Sequence, residues 1–96
     1  MVYKTKIMYP IVVGFKRMRN HELLFMEIPL ALPNPKKELI CFDNHVSAPV
    51  VRYRLNYDSQ TSDITVQIDL QPYVAVSVDH ARTQVDNALK CGFKIL

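Results

Sequence analysis

The stretch VRYRLNYDSQTSDITVQIDL, residues 51–70, contains two runs in which apolar and polar side chains alternate. The apolar members of the two runs are Val51, Tyr53, Leu55, Tyr57, Ile64, Val66, Ile68 and Leu70. A period of two is typical of a β-strand that buries one face. Because polar, turn-forming residues separate the runs at 58–63, we predict an antiparallel hairpin over about residues 50–70.

The charges in this stretch predict how its two strands are aligned. When Tyr57 is placed opposite Ile64, Arg52 faces Asp69 and Arg54 faces Gln67. Opposite charges across two strands stabilise a sheet by about 0.2–1 kcal/mol per pair. This gain accounts for the Arg-x-Arg pattern without any ligand, although a polar sheet face is also a surface that a partner can contact.

A second hairpin is predicted near the start of the chain, over about residues 7–31. Residues 3–15 and 23–32 are rich in apolar residues that alternate along the chain. Proline cannot donate a backbone hydrogen bond, so we expect Pro10 to face Pro29 at a non-hydrogen-bonded position. This alignment leaves a four-residue loop at 18–21, in which Asn20 is the candidate for a left-handed conformation.

The only helix predicted in the chain lies at about residues 79–91. Val78, Ala81, Val85, Ala88 and Leu89 form its apolar stripe. Residues 77–79 supply polar capping groups, and Gly92 suits the left-handed position after a helix. We expect further short strands at 39–42, 73–76 and 93–96. The predicted fold class is α+β: one domain over residues 1–96, with a mostly antiparallel sheet and a C-terminal helix packed on its apolar face.

Composition excludes a disordered chain and a disulfide-rich scaffold. Of 96 residues, 49% are hydrophobic and 22% are charged, and there are two cysteines. We expect reduced thiols, a cytoplasmic location and no membrane partner, because no run is long enough to span a bilayer. The apolar run after Lys6 contains Pro10 and lacks a cleavage site, so we do not interpret it as a signal peptide. The high apolar content predicts a homo-oligomer.

Positive charge is concentrated early in the chain. Residues 1–37 hold seven basic and two acidic residues, whereas residues 38–96 hold five basic and seven acidic residues. The predicted tip of the first hairpin contributes Lys16, Arg17, Arg19 and His21, and Lys36 and Lys37 follow later. We predict that these four tip residues, with Arg52 and Arg54, contact a partner. The alternative is a solvated turn that has no ligand.

Two other groups of residues invite a chemical interpretation. Cys41, Asp43 and His45 lie close together, but the four ligands that structural zinc needs are not available nearby, so a buried thiol followed by a turn is favoured. His80 follows Asp79 at the start of the predicted helix, where an exposed histidine is the more common outcome. We therefore predict no catalytic residues, no metal and no cofactor.

The sequence favours a small non-enzymatic interaction module that binds a macromolecular partner, most readily a protein. In size and general architecture it resembles small accessory or inhibitor proteins, including many encoded by viruses and mobile elements. One alternative is a nucleic-acid-binding protein that uses the basic loop at 16–21. A third is a compact ribonuclease-like hydrolase, which requires His21, His45 and His80 to converge.

Overall fold

The computed structural model describes residues 1–14, 19–36, 39–42 and 46–96. It is α+β, with one C-terminal helix and a curled, mixed sheet that is mostly antiparallel. The elements are β1 (Tyr3–Val13), β2 (Arg19–Ile28), β3 (Leu39–Phe42), β4 (Val46–Asp58), β5 (Asp63–Leu70), β6 (Tyr73–Ala75), α1 (Val78–Lys90) and β7 (Lys94–Ile95). The order across the sheet is β3-β4-β5-β1-β2-β7, and β6 pairs with β1.

The predicted alignment of β4 with β5 is confirmed. Tyr57 pairs with Ile64, Arg52 with Asp69 and Arg54 with Gln67. The register shifts at Val51, so that Val50 pairs with Leu70. This extra residue is a β-bulge, which bends a strand. The first part of β4 therefore turns away from β5 and pairs with β3.

The prediction that the whole apolar side of β4 is buried is wrong. Val51, Leu55 and Tyr57 are 57%, 53% and 57% exposed, whereas Val46, Ala48 and Val50 are buried. Strand β4 extends beyond the core. Its C-terminal half projects past the elements that cover its N-terminal half, so the apolar side chains of the C-terminal half remain exposed although the alternating pattern continues.

The predicted alignment of β1 with β2 is also wrong. Pro10 pairs with Leu23 and Ile11 with Glu22, whereas Pro29 lies beyond the end of β2. Arg19, Asn20 and His21 belong to the strand and not to a loop, and Asn20 is not among the described residues with positive φ. From Glu22 to Ile28 the difference from the predicted alignment is an even number of residues, so these side chains keep their faces and the hydrophobic pattern could not separate the two alignments.

Proline 10 is tolerated because the neighbouring strand is interrupted at its level. Strand β5 pairs in parallel with β1 over Tyr3–Met8, and β6 pairs in parallel over Ile11–Val13. Tyr9 and Pro10 lie in the gap between β5 and β6. No neighbouring strand there needs a hydrogen bond from residue 10, so the missing proline N–H costs nothing. Among the described residues, strand β1 therefore has no paired neighbour on this side at Pro10.

The helix has both of its predicted caps. The Ser77 hydroxyl accepts a hydrogen bond from the His80 N–H at 3.1 Å. At the other end the Phe93 N–H donates to the Ala88 carbonyl and the Gly92 N–H donates to the Leu89 carbonyl, with Gly92 at φ +98°. This is the Schellman arrangement, and it turns the chain so that Phe93 is buried.

The core lies on one side of the sheet, which we call the inner face. Ile7, Tyr9 and Ile11 of β1 are buried there together with Ala81, Val85 and Ala88 of α1, which contacts β1, β2 and β6. Of the predicted helical stripe, Val78 and Leu89 are exposed instead. The remaining core residues are Leu24, Val46, Ala48, Val50, Val66, Ile68, Leu70, Ala75 and Phe93.

The segment after β2 crosses the inner face and closes the core on the side away from α1. The buried Thr5 hydroxyl donates to the Leu30 carbonyl at 2.7 Å and accepts from the Leu32 N–H at 2.9 Å. The Tyr53 hydroxyl donates to the Leu32 carbonyl at 2.8 Å. Beyond this crossing the inner face continues without a cover among the described residues, which explains the exposure of Leu55 and Tyr57.

The predicted buried thiol at Cys41 is a further correction. Residues 39–42 form the edge strand β3, and Cys41 is exposed there, because its side chain lies opposite the exposed Ser47 of β4. Cys91 is partly buried, and its thiol donates to the Phe42 carbonyl at 3.3 Å. No disulfide joins the two cysteines.

Candidate interaction surface

The side of the sheet opposite the core forms a broad surface, which we call the outer face. Directly paired residues of neighbouring strands point to the same side of a sheet. The pairing therefore assembles three rows of side chains across this face. The rows are Lys94–Phe25–Met8–Asp69–Arg52, then Glu27–Lys6–Gln67–Arg54, then Lys4–Thr65–Asn56. Beyond these three rows, Asp63 lies opposite Asp58 on the same face.

Cations outnumber carboxylates in these rows. Lys4, Lys6, Arg52, Arg54 and Lys94 are opposed only by Glu27 and Asp69. Lys4 Nζ lies 3.9 Å from Glu27 Oε1, and both side chains are about half exposed. An exposed pair of this kind contributes little to stability and is readily exchanged for another partner.

The second carboxylate, Asp69, is already engaged within the sheet. Its Oδ1 accepts a hydrogen bond from Gln67 Nε2 at 3.0 Å, and it lies opposite Arg52. Arg54 lies opposite the neutral Gln67. Beside Arg54 is a shallow cleft of about 310 Å³ that Asn56, Thr65 and Gln67 also line. Hydrogen-bonding side chains thus surround a cation whose opposite neighbour is uncharged.

Aromatic residues are distributed unequally between the two faces. All five tyrosines occupy positions on the inner side, at residues 3, 9, 53, 57 and 73. Among the described residues, Phe25 is the aromatic residue of the outer face, and Lys6 Nζ lies 5.1 Å from the centre of its ring. This cation–π contact occupies the ring face on which a nucleic-acid base would stack.

The residues predicted to bind a partner fall into two separate places. Arg52 and Arg54 lie on the outer face, whereas Arg19 and His21 lie at the start of β2, and Lys16 and Arg17 lie outside the described residues, as does Lys37. The distance between the two places can be measured along β1. Lys6 belongs to the same row as Arg54, and Val12, six residues further along β1, pairs with Asn20 between Arg19 and His21. At about 3.3 Å per residue this separation is roughly 20 Å.

His21 lies in a cleft of its own near the β1–β2 register shift. The shift leaves His21 without a direct partner on β1, because Ile11 pairs with Glu22 and Val12 pairs with Asn20. Pro10, Asn20, Glu22 and Leu23 line this cleft of about 380 Å³ with His21. Its lining carries one carboxylate, from Glu22, and is mixed in polarity, so it is not a continuation of the basic rows.

Sequence reasoning missed Lys4, Lys6 and Lys94 as members of the surface. Lys4 and Lys6 alternate with Tyr3, Thr5 and Ile7, so their common face was readable from the pattern. Their proximity to Arg54 was not readable, because it depends on parallel pairing between β1 and β5, which are distant in sequence.

A second polar cluster lies where β6 meets α1. The Val76 N–H donates to His80 Nδ1 at 3.4 Å, and His80 Nε2 and the Tyr73 hydroxyl share a hydrogen bond of 2.7 Å. The two rings meet edge to face at 5.5 Å. Both ring nitrogens are thus used to hold the start of the helix, which is a structural role for His80.

Tyr9 adds a buried hydroxyl near this cluster. Gln84 Nε2 donates to the Tyr9 hydroxyl at 2.8 Å. Burial raises the pKa of Tyr9 above its ordinary value, against the effect of the Gln84 hydrogen bond. Tyr9 and Tyr73 both line a cleft of about 190 Å³ whose lining contains no histidine. His80 does not line the cleft that contains His21, and His45 lies outside the described residues, so the convergence required for a hydrolase stays a prediction.

Comparison with protein-family models found no matching family, and comparison with curated proteins and with solved structures found no significant match. Within residues 1–14, 19–36, 39–42 and 46–96, no three histidine, cysteine or acidic side chains are grouped so that they could bind a metal ion. No helix in the described part of the chain is long and apolar enough to cross a membrane.

Proposed function

We propose that this protein is a small non-enzymatic interaction module that binds an acidic protein surface through its outer face. One observation carries the proposal: in three neighbouring rows across one sheet face, five cations are opposed by two carboxylates, and the other two carboxylates of that face, Asp58 and Asp63, lie beyond the third row. In this proposal α1 and the segment after β2 cover the inner face, and the outer face is left for a partner. Complementary charge of this kind directs association and selects the partner.

A protein partner is favoured over a nucleic acid by the aromatic residues. Proteins that bind single strands commonly stack bases on exposed aromatic rings. On the described outer face the ring of Phe25 is covered by Lys6, and the tyrosines are on the inner side. Asn56, Thr65 and Gln67 beside Arg54 supply the donors and acceptors that a carboxylate-rich protein surface can use.

The test compares two variants with the same change in charge. Arg52→Glu/Arg54→Glu reverses two charges on the outer face, and Arg82→Glu/Lys90→Glu reverses two exposed charges on α1. Each variant is immobilised and exposed to lysate from the native host, with and without nuclease treatment. Circular dichroism establishes that each variant is folded.

The proposal predicts that proteins captured by the wild type are also captured by the helix variant but are lost, by tenfold or more, with the sheet variant. Capture should be unchanged by nuclease and should weaken as salt is raised. Equal capture by both variants would contradict the proposal. Loss of capture after nuclease treatment would replace it with the nucleic-acid alternative.

A further inference from the structure

We propose that the free edge of β4 pairs with the same edge of a second copy of this chain, which joins two sheets into one. This inference is independent of the proposed function. Strand β3 pairs with β4 only over Val46–Pro49, and β5 occupies the opposite edge of β4 from Val50 to Asp58. Among the described residues, no strand pairs with the edge of β4 opposite β5 from Tyr53 to Asp58, and we call this the free edge.

The direction of the backbone groups on this edge follows from the β1–β5 contact. The Ile64 N–H donates to the Val2 carbonyl, so it points away from β4. In an antiparallel pair the hydrogen-bonded and non-hydrogen-bonded positions alternate. The Tyr57–Ile64 pair is therefore non-hydrogen-bonded, and Tyr53, Leu55 and Tyr57 point their N–H and C=O groups toward the free edge.

This edge lacks two of the features by which proteins prevent pairing between sheets, a proline and a β-bulge. Residues 53–58 contain no proline, and their pairing with β5 has no bulge. Leu55 and Tyr57 are 53% and 57% exposed on the inner side of the strand. A second copy added at this edge would satisfy the backbone groups and cover these apolar side chains at the same time.

The charges on the strand select one alignment of the two copies. With Leu55 on a two-fold axis, Arg52 lies opposite the partner's Asp58, and Arg54 lies opposite the partner's Asn56. The hydrogen-bonded positions are then Leu55 with the partner's Leu55, and Tyr53 with the partner's Tyr57. The alignment that pairs the free backbone groups of Tyr53, Leu55 and Tyr57 thus also places Arg52 opposite the partner's Asp58 on the outer face.

Neighbouring alignments are less favourable. A shift that places Arg54 on the axis sets it opposite the partner's Arg54, and like charges directly opposite destabilise a sheet. A shift that places Asn56 on the axis moves Tyr53 opposite the partner's Ser59, which lies outside β4. Only the alignment centred on Leu55 pairs Tyr53, Leu55 and Tyr57 entirely with one another.

The surface beside Arg52 is shaped to receive the partner's turn. A cleft of about 330 Å³ is lined by Asn34, Lys36, Val51 and Arg52. In the Leu55-centred alignment the partner's chain enters this region after the partner's Asp58, where its turn carries acidic residues at both ends. Lys36 is exposed and therefore available to those carboxylates. Charge complementarity extends from the strand edge into this cleft.

The first experiment removes one backbone donor from the free edge. In Leu55→Pro the lost N–H is one that points away from β5, so the hairpin keeps its own hydrogen bonds. Leu55→Ala is the matched control, because it shortens the side chain but keeps the N–H. Analytical ultracentrifugation should show a wild-type dimer whose dissociation constant rises by at least about 30-fold in Leu55→Pro, since two intermolecular hydrogen bonds are lost. Leu55→Ala should change it less.

The second experiment does not depend on Leu55→Pro folding. Arg52→Asp and Asp58→Arg each place like charges opposite one another in a dimer of identical chains, whereas a mixture of the two variants restores both opposite-charge pairs. The mixture should dimerise at least tenfold more tightly than either variant alone. A wild type that stays a single chain, a Leu55→Pro variant that dimerises like the wild type, or a mixture that associates no better than its components would overturn the proposal.

Discussion

At the scale of single residues, the net charge of the outer face depends on which of its cations lie opposite a carboxylate. Asp69 accepts a hydrogen bond from Gln67 and lies opposite Arg52, and Glu27 lies 3.9 Å from Lys4. Arg54 and Lys94 lie opposite uncharged residues, Gln67 and Phe25, in the same rows. These excess cations in the three rows, more than the modest net charge of +3, are the basis of the proposal that the outer face binds an acidic partner.

Asp63 anchors the start of β1, and its titration should be visible in the stability of the protein. Its Oδ1 accepts the Val2 N–H at 2.8 Å. Hydrogen bonds from Thr61 and from Val2, with a smaller effect of the N-terminal charge, lower the pKa of Asp63 below its ordinary value of 3.8. A lowered pKa in the folded state stabilises the protein above the unfolded pKa, and that contribution is lost as pH falls below 3.8 through the folded pKa.

We therefore expect Asp63→Asn to remove part of the loss of stability in acid. The free energy of unfolding, measured by denaturant titration at about pH 6 and about pH 3, should differ less between the two conditions in the variant than in the wild type. Asp86→Asn, at an exposed position on α1, is the control and should retain the wild-type difference. An identical pH dependence for Asp63→Asn and the wild type would show that Asp63 contributes nothing.

At the scale of elements, strand pairing was predictable where charge and hydrophobic pattern agreed. The β4–β5 alignment was correct because one alignment satisfied both the apolar alternation and the Arg52–Asp69 pair. For β1 and β2 the pattern fixed the faces only, and the two prolines were a misleading guide to alignment. The parallel pairing of β1 with β5 and β6 depends on contacts between distant segments, which local alternation does not encode.

The helix was predictable because its limits are set by local chemistry. Ser77 and Gly92 act within a few residues of the helix ends, so their roles follow from the sequence alone. The sequence does not give the limits of the core, and so it did not reveal that Val78, Leu89 and the C-terminal half of β4 are exposed. For the same reason the grouping of Lys4, Lys6 and Arg54 was not foreseen.

The helix end supplies a prediction about backbone conformation. Gly92 has φ +98°, and a Cβ added there would meet only Met26 Cε, at an ordinary contact distance of 3.7 Å. Gly92→Ala should therefore destabilise the protein by about 1–2 kcal/mol through backbone strain and not through a clash. Thermal or denaturant unfolding measures this cost. Arg82→Ala, at an exposed helical site, should change stability by less than about 0.5 kcal/mol, and a stabilising effect of Gly92→Ala would contradict the account.

At the scale of the whole molecule, the two faces of the sheet differ in composition. The inner face holds the core, and its projecting end carries Leu55 and Tyr57, which the proposed pairing of two copies would cover. The outer face carries the basic rows. Pairing at the edge of β4 would leave the outer faces of both copies on the same side of a continuous sheet, so that one partner could contact both.

Lysine acetylation followed by mass spectrometry tests the central claim, that the outer face is the surface of contact, most directly. The chain is labelled alone and in complex with the partner captured by the wild type. The account predicts that Lys4, Lys6 and Lys94 become protected in the complex, whereas Lys90 on α1 is labelled equally in both. Protection of Lys90 with unchanged labelling of Lys4, Lys6 and Lys94 would contradict it.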